Sequence, residues 1–294
     1  MKVGVSLPVF TADPARPLDV AARAAALGVD GVFSPDHLFP PVFYPPSGAD
    51  RPALEAFMVL AAAAARNPGL YVGTLVARVT LRSTGLLAKQ ASMLDEISGG
   101  RAILALGAGD RASIPEQERY GFPFPPVHER LQLLQETVLA LRALFAGEAW
   151  AGGAAVPALD GPILPVGSPE LWIGGLSDAV LAVAARVADA WNGWGLDAGG
   201  FDEKVRRLRE LAEGRAIRVT WGGIALVGED RRDLERLLAE REQRGLSIEG
   251  VWTGTATELR SFVDRLGEAG AEWFIVLPAG PADRLDVVAG ALEA

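Results

Sequence analysis

The sequence predicts an α/β fold, a single (β/α)8 barrel spanning residues 1–294 as one domain. Three observations carry this. Apolar strand-like runs alternate with helix-patterned segments along the chain, the pattern of a parallel sheet covered by helices. Eight such strands are legible in order. The chain has 294 residues, 50% of them hydrophobic, which suits one barrel of ~250 residues with a sizeable core.

Strand 1 is read at Val3–Val9 and the first helix at Pro17–Leu27, ended by Gly28. Strand 2 is Gly31–Pro35, and the second helix, Leu54–Ala65, closes at Asn67-Pro68-Gly69. Strand 3 is Leu70–Ala77. The third helix, Gly85–Ile97, sets Leu87, Ala91, Leu94 and Ile97 on one face. Gly99 and Gly100 stop it, because glycine enters the left-handed conformation without a Cβ clash. Strand 4, Ala102–Leu106, is apolar without alternation, as in a strand buried on both faces. The fourth helix is Val127–Phe145, with Leu131, Leu134, Val138 and Leu141 facing inward. Strand 5 (Leu171–Gly174), a helix (Asp178–Ala188), strand 6 (Ala190–Trp194), a helix (Phe201–Gly214), strand 7 (Ile217–Val227) and a helix (Arg231–Arg244) continue the alternation. Thr255-Ala256-Thr257-Glu258 has the pattern of a capping box and opens a helix to Leu266. Strand 8 is Trp273–Leu277, and Ala282–Leu292 is a closing helix.

Two stretches depart from the pattern. Residues 39–53 are proline-rich, and residues 147–168 form an insertion between helix 4 and strand 5. A lid and a surface excursion both fit such a segment.

Composition narrows the function. A formal net charge of −9 argues against a nucleic-acid partner. The absence of cysteine removes disulfide and thiolate chemistry. Two imidazoles, His37 and His128, do not make up a histidine-rich metal site. The N-terminus reads as a strand rather than a signal peptide, and no uninterrupted apolar stretch has membrane-spanning length. A soluble, cytoplasmic protein is expected.

Barrel sites lie at the C-terminal strand ends. Strand 2 ends in Asp36-His37. An imidazole exchanges protons near neutral pH and a neighbouring carboxylate can orient it, although a polar loop histidine would look the same. Strand 3 ends in Gly73-Thr74-Leu75-Val76, in itself an ordinary buried strand. Strand 4 ends in Gly107-Ala108-Gly109-Asp110, where small residues let a ligand approach the backbone and Asp110 reads as a capping carboxylate. Gly174-Gly175-Leu176-Ser177 precede a helix, an arrangement that binds phosphate or merely supplies an N-cap. Trp194 and Gly195 follow strand 6, where Trp194 stacks on a ring or only packs. Arg78, Arg82 and Arg111 read as surface charges or partners of an anionic group. Phe39, Phe43, Tyr44, Tyr120, Phe122 and Phe124 suggest an apolar pocket lining.

The stretch Ala88-Lys89-Gln90…Leu94-Asp95…Ser98-Gly99-Gly100-Arg101…Leu106-Gly107-Ala108-Gly109 resembles the signature of the luciferase-like monooxygenase superfamily. Further matches run from residue 3 to about residue 278. The resemblance implies a TIM barrel and a flavin or deazaflavin cofactor. It brings His37 to the reactive ring, with Asp36 beside it. It implies a non-proline cis peptide at Leu75–Val76 behind that ring. Some deazaflavin dehydrogenases of the family carry a glutamate acid where Asp110 stands, one methylene longer. Gly107 and Gly109 would lie near the cofactor, and its phosphate would reach Gly174, Gly175, Leu176, Ser177, Trp194 and Gly195. The insertion would fold over the mouth, and the chain would form a homodimer.

The activity this implies is that of an oxidoreductase using coenzyme F420 for hydride transfer to or from a small organic substrate. The alternatives are an FMN-dependent monooxygenase that uses reduced flavin and O2, and a non-catalytic flavin-binding relative.

Overall fold

Unalternated apolar strands have no face to offer water, so they must be enclosed by helices. The computed structural model, which describes residues 1–41 and 50–293, encloses them in this way. Its strands are β1 (Lys2–Ser6), β2 (Gly31–Ser34), β3 (Tyr71–Arg78), β4 (Ala102–Gly107), β5 (Glu170–Gly174), β6 (Ala190–Trp194), β7 (Arg218–Gly228), β8 (Val251–Thr255) and β9 (Ala271–Pro278). All pairings between them are parallel, from β1 in sequence order to β7, and β7 pairs with β9, which returns to β1. Eight strands therefore close a single TIM barrel.

The helices are α1 (Ala15–Ala26), α2 (Ala56–Arg66), α3 (Thr84–Ser98), α4 (Ile114–Arg119), α5 (Val127–Phe145), α6 (Asp178–Val187), α7 (Ala198–Leu211), α8 (Arg231–Gln243), α9 (Ala256–Glu268) and α10 (Arg284–Glu293). One apolar core lies between the strands and this helical layer. A second fills the barrel interior, where Phe33 meets Trp273 edge-on at 5.4 Å and stacks near Trp172 at 5.9 Å.

The signature turn after α3 is a structural device. Asp95 accepts the N–H groups of Ala102 (3.2 Å) and Ser168 (2.8 Å), and Ser98 Oγ accepts that of Arg101 (3.1 Å). Gly99 takes the left-handed conformation at φ 68°. Together they deliver the chain into β4. The capping box at Thr255 and Glu258 forms as its sequence predicts.

Three expectations are corrected. The eighth strand expected, Trp273–Leu277, falls in β9 and closes the barrel, but β8 before it was not anticipated. β7 is eleven residues long and overshoots β6, so its second half pairs with β8 outside the barrel. Residues 111–126, for which the sequence suggests no element, contain α4. Ile97 is 42% exposed, while Leu87, Ala91 and Leu94 are buried as expected.

The insertion lies against the helices. Glu136 of α5 accepts the N–H groups of Ala154 (3.1 Å), Ala155 (2.7 Å) and Val156 (2.8 Å). Ser92 of α3 bonds Pro165 O and the N–H of Gly167. A chain that has left the sheet must find partners for its amides, and these two helices supply them.

Candidate active site

The C-terminal strand ends surround a cavity of about 420 Å³, within the roughly 300–1,000 Å³ common for small-molecule sites. Asp36 and His37 reach it from β2, Leu75 and Val76 from β3, and Gly107, Gly109 and Asp110 from β4. Gly174, Gly175, Leu176 and Ser177 reach it from β5, and Trp194 from β6. Gly195 does not line it; its N–H donates to Gly222 O at 2.7 Å.

The floor is built by subtraction. The β3–β4 register shifts between Thr74 and Ala77, and the Leu75–Val76 peptide between them is cis. A Cβ on Gly107 would fall 2.5 Å from Val76 Cγ2, and one on Gly174 2.6 Å from Val76 Cγ1. Both glycines thus yield their side-chain space to Val76.

The polar wall is a chain of alternating charges. Arg82 clamps Asp36 through two bonds, of 2.7 and 3.1 Å. The backbone N–H of Arg78 donates to Asp36 Oδ2 (3.1 Å), and its Nε to the Asp36 carbonyl (3.0 Å). Arg78 Nη2 then donates to Glu116 Oε2 (2.8 Å), and Glu116 Oε1 lies 2.6 Å from His37 Nδ1. Burial pushes the Glu116 carboxyl up, but the bond to His37, the attraction of the imidazole when it is protonated, the charge of Arg78 and the N–H of Leu38 outweigh it and hold it below its ordinary range.

These contacts revise several roles. Arg78 and Arg82 are buried components of the wall and not solvated charges. Asp36 is held by the two arginines, while the carboxylate that meets His37 Nδ1 is Glu116. Sequence reading missed Glu116. The signal available was an acid within a glutamate-rich stretch after strand 4, but no spacing rule links it to His37. Asp110 accepts the N–H (3.1 Å) and hydroxyl (3.0 Å) of Ser113, capping a 3-10 turn over Arg111–Ser113. Ser177 caps α6 by accepting the N–H of Val180. Asp178, the acid that follows Ser177, is engaged by Lys204 and Arg207, each at 3.3 Å or closer.

Among the described residues, none of the aromatics expected to line the pocket does so. Phe39 is buried and Tyr120 exposed. Phe122 borders a neighbouring cavity of about 440 Å³, together with Val156 and Leu159 of the insertion. Phe124 lies under Arg130, 3.9 Å from its guanidinium. Phe43 and Tyr44 fall outside the described residues.

The sequence profile of the luciferase-like monooxygenases matches residues 1–275. The chain belongs to this family. As a luciferase-like protein it is 27% identical, over 229 residues, to an F420-dependent glucose-6-phosphate dehydrogenase of Microbacterium testaceum. That match takes in 76% of this chain and 63% of the relative, so the chain spans less than two thirds of that protein's length. The luciferase-like fold recurs in a solved F420-dependent secondary alcohol dehydrogenase in complex with an F420-acetone adduct (TM-score 0.82, 18% identity, 99% of this chain and 98% of the other). It recurs also in the EDTA monooxygenase of Chelativorans sp. BNC1 (TM-score 0.78, 16% identity, 100% and 93%). Among the described residues, no helix is long and apolar enough to cross a membrane.

Proposed function

We propose that this luciferase-like enzyme is an oxidoreductase that uses coenzyme F420 to move a hydride to or from a small organic substrate. The observation that carries the reading is the placement of His37, anchored by Glu116, on the wall of a cavity floored by Val76. F420-dependent relatives in sequence and structure support the choice of cofactor.

The residues present fit such a group. Val76 between Gly107 and Gly174 offers an apolar surface to back a flat ring. The N-terminus of α6 at Gly175, Leu176 and Ser177, near Trp194 and Gly195, offers N–H groups and a partial positive charge to a phosphate. Lys204 and Arg207 offset the charge of Asp178. When bound, the deazaflavin supplies a carbon that accepts or gives a hydride. The chain holds the ring, excludes water with its apolar floor, and places an imidazole where the substrate's proton is exchanged. Asp110 acts as a turn cap on this reading and Asp36 as a brace.

The reading includes a cytoplasmic homodimer. Leu86, Met93 and Ile97 are exposed on α3 at spacings of seven and four, one side of the helix. Leu164 and Val166 of the insertion, also exposed, follow the contact between Lys89 and the Leu164 carbonyl. An apolar strip of this kind suits burial against a second copy.

Equilibrium titration with F420 and with FMN, read by tryptophan quenching, tests the cofactor. Tighter F420 binding is expected. FMN binding without F420 binding would put a reduced-flavin monooxygenase first, and binding of neither would favour a non-catalytic protein.

A further inference from the structure

Glu116 is fully buried and does not border the cavity, yet it contacts the residue that does. Its two oxygens have unequal company. Oε2 accepts from the Leu38 N–H (2.7 Å) and Arg78 Nη2 (2.8 Å), both groups that can only donate. Oε1 faces His37 Nδ1 at 2.6 Å. An ionised carboxylate has no proton to give, so the proton in that contact belongs to the imidazole.

We propose that Glu116 is a positioning residue: it holds neutral His37 as the Nδ1–H tautomer and leaves proton exchange with the substrate to Nε2. The carboxylate also stabilises the imidazolium formed when Nε2 takes a proton, with Arg78 balancing its charge in the protein interior. The kinetic consequence rests on the reading of His37 as the proton-transfer group; the tautomer assignment does not.

The donor count makes the test sharp. In Glu116→Gln the amide carbonyl must turn to Leu38 and Arg78, since an NH2 there would confront two donors. The NH2 then faces His37 Nδ1, which must become an acceptor, and the neutral ring switches to Nε2–H. Nitrogen-15 NMR of the imidazoles, recorded where both are neutral, reads this directly. The chain has only His37 and His128, and His128→Gln identifies the His37 signals. The pyridine-type resonance should lie at Nε2 in the wild type and at Nδ1 in Glu116→Gln. Turnover with F420 should fall about 10²–10⁴-fold, the range for a lost or mis-tautomerised proton carrier. Cofactor Kd should change by less than about threefold, because the loss lies in the reacting step.

An Nε2–H tautomer in the wild type overturns the proposal without any variant, which covers the case of Glu116→Gln failing to fold. A switched tautomer with undiminished turnover overturns the positioning role. Absence of turnover in the wild type would defeat the proposed function, while the NMR result would still decide the role of Glu116 in holding the ring.

Discussion

Val76 occupies the volume that a side chain on Gly174 would need: an added Cβ would stand 2.6 Å from Val76 Cγ1. The pair joins β3 to β5 across β4, and with Gly107 it shapes the floor of the cavity. Gly174→Ala should therefore destabilise the protein by roughly 1–3 kcal/mol, as overpacking of a filled core does. The β-branched valine has few rotamers through which to retreat. Adding Val76→Ala should recover most of that loss, since the neighbours left, the Val76 Cβ at 3.9 Å and Asn192 O at 4.0 Å from the added carbon, are at ordinary van der Waals contact. Denaturant melts of the two single variants and the double variant measure the coupling, and additive losses would contradict it.

His37→Ala should lower turnover about 10²–10⁴-fold, the usual contribution of a proton-transferring side chain. Cofactor affinity should be nearly unchanged, because the surfaces assigned to the ring and phosphate lie on β3 to β6. Steady-state kinetics with a parallel binding titration separate the two effects. Loss of binding with an intact residual rate would reassign His37 to cofactor retention.

Asp36→Asn should act on stability before chemistry. It leaves the Arg82 guanidinium, whose side chain is 8% exposed, without its bidentate partner. Removing one member of a buried ion pair costs roughly 3–5 kcal/mol. A guanidinium does not give up its proton in a protein, and Glu55 stays 3.4 Å away, so the arginine is still charged in the variant. A melting temperature equal to that of the wild type would refute the bracing role.

Acid should weaken a clamp whose residues do not line the cavity. Burial pushes the Asp233 carboxyl up, but bonds from Arg236, the Glu229 N–H and Arg284 outweigh it and bring its pKa down to about 2. A carboxyl depressed in the folded state contributes stability above its unfolded pKa of about 3.9 and loses it as pH falls through the folded value. The loss should run from about pH 4 toward pH 2 and amount to on the order of 2 kcal/mol. Asp233→Asn should flatten that part of the acid limb. An unchanged limb would show that the clamp does not stabilise the fold.

Light scattering at micromolar concentration should return twice the chain mass of 30.9 kDa. Ile97→Glu, on the exposed side of α3, should shift the mass to that of one chain without altering the fold. A monomer from the wild type would remove the dimer from the proposed function.

The sequence by itself determined the barrel, because alternation and apolar continuity are local properties and closure follows once eight enclosed strands stand in order. It also determined which segments reach the mouth, so that His37, Val76, Gly107, Gly174 and Trp194 could be named by their position after strands. Tertiary structure alone decided who meets whom there. Adjacency paired His37 with Asp36, yet Asp36 is held by arginines supplied from the end of β3 and the loop beyond it. The carboxylate found at His37 Nδ1 comes from Glu116, seventy-nine residues away, on a helix of six residues set among prolines. β8 was illegible for a similar reason: a strand paired along one edge only, directly before a strong helix cap, carries little pattern of its own. Periodicity reports what each segment must bury. Which charges then meet inside depends on the closure of the barrel, which brings the ends of β2, β3 and β4 together.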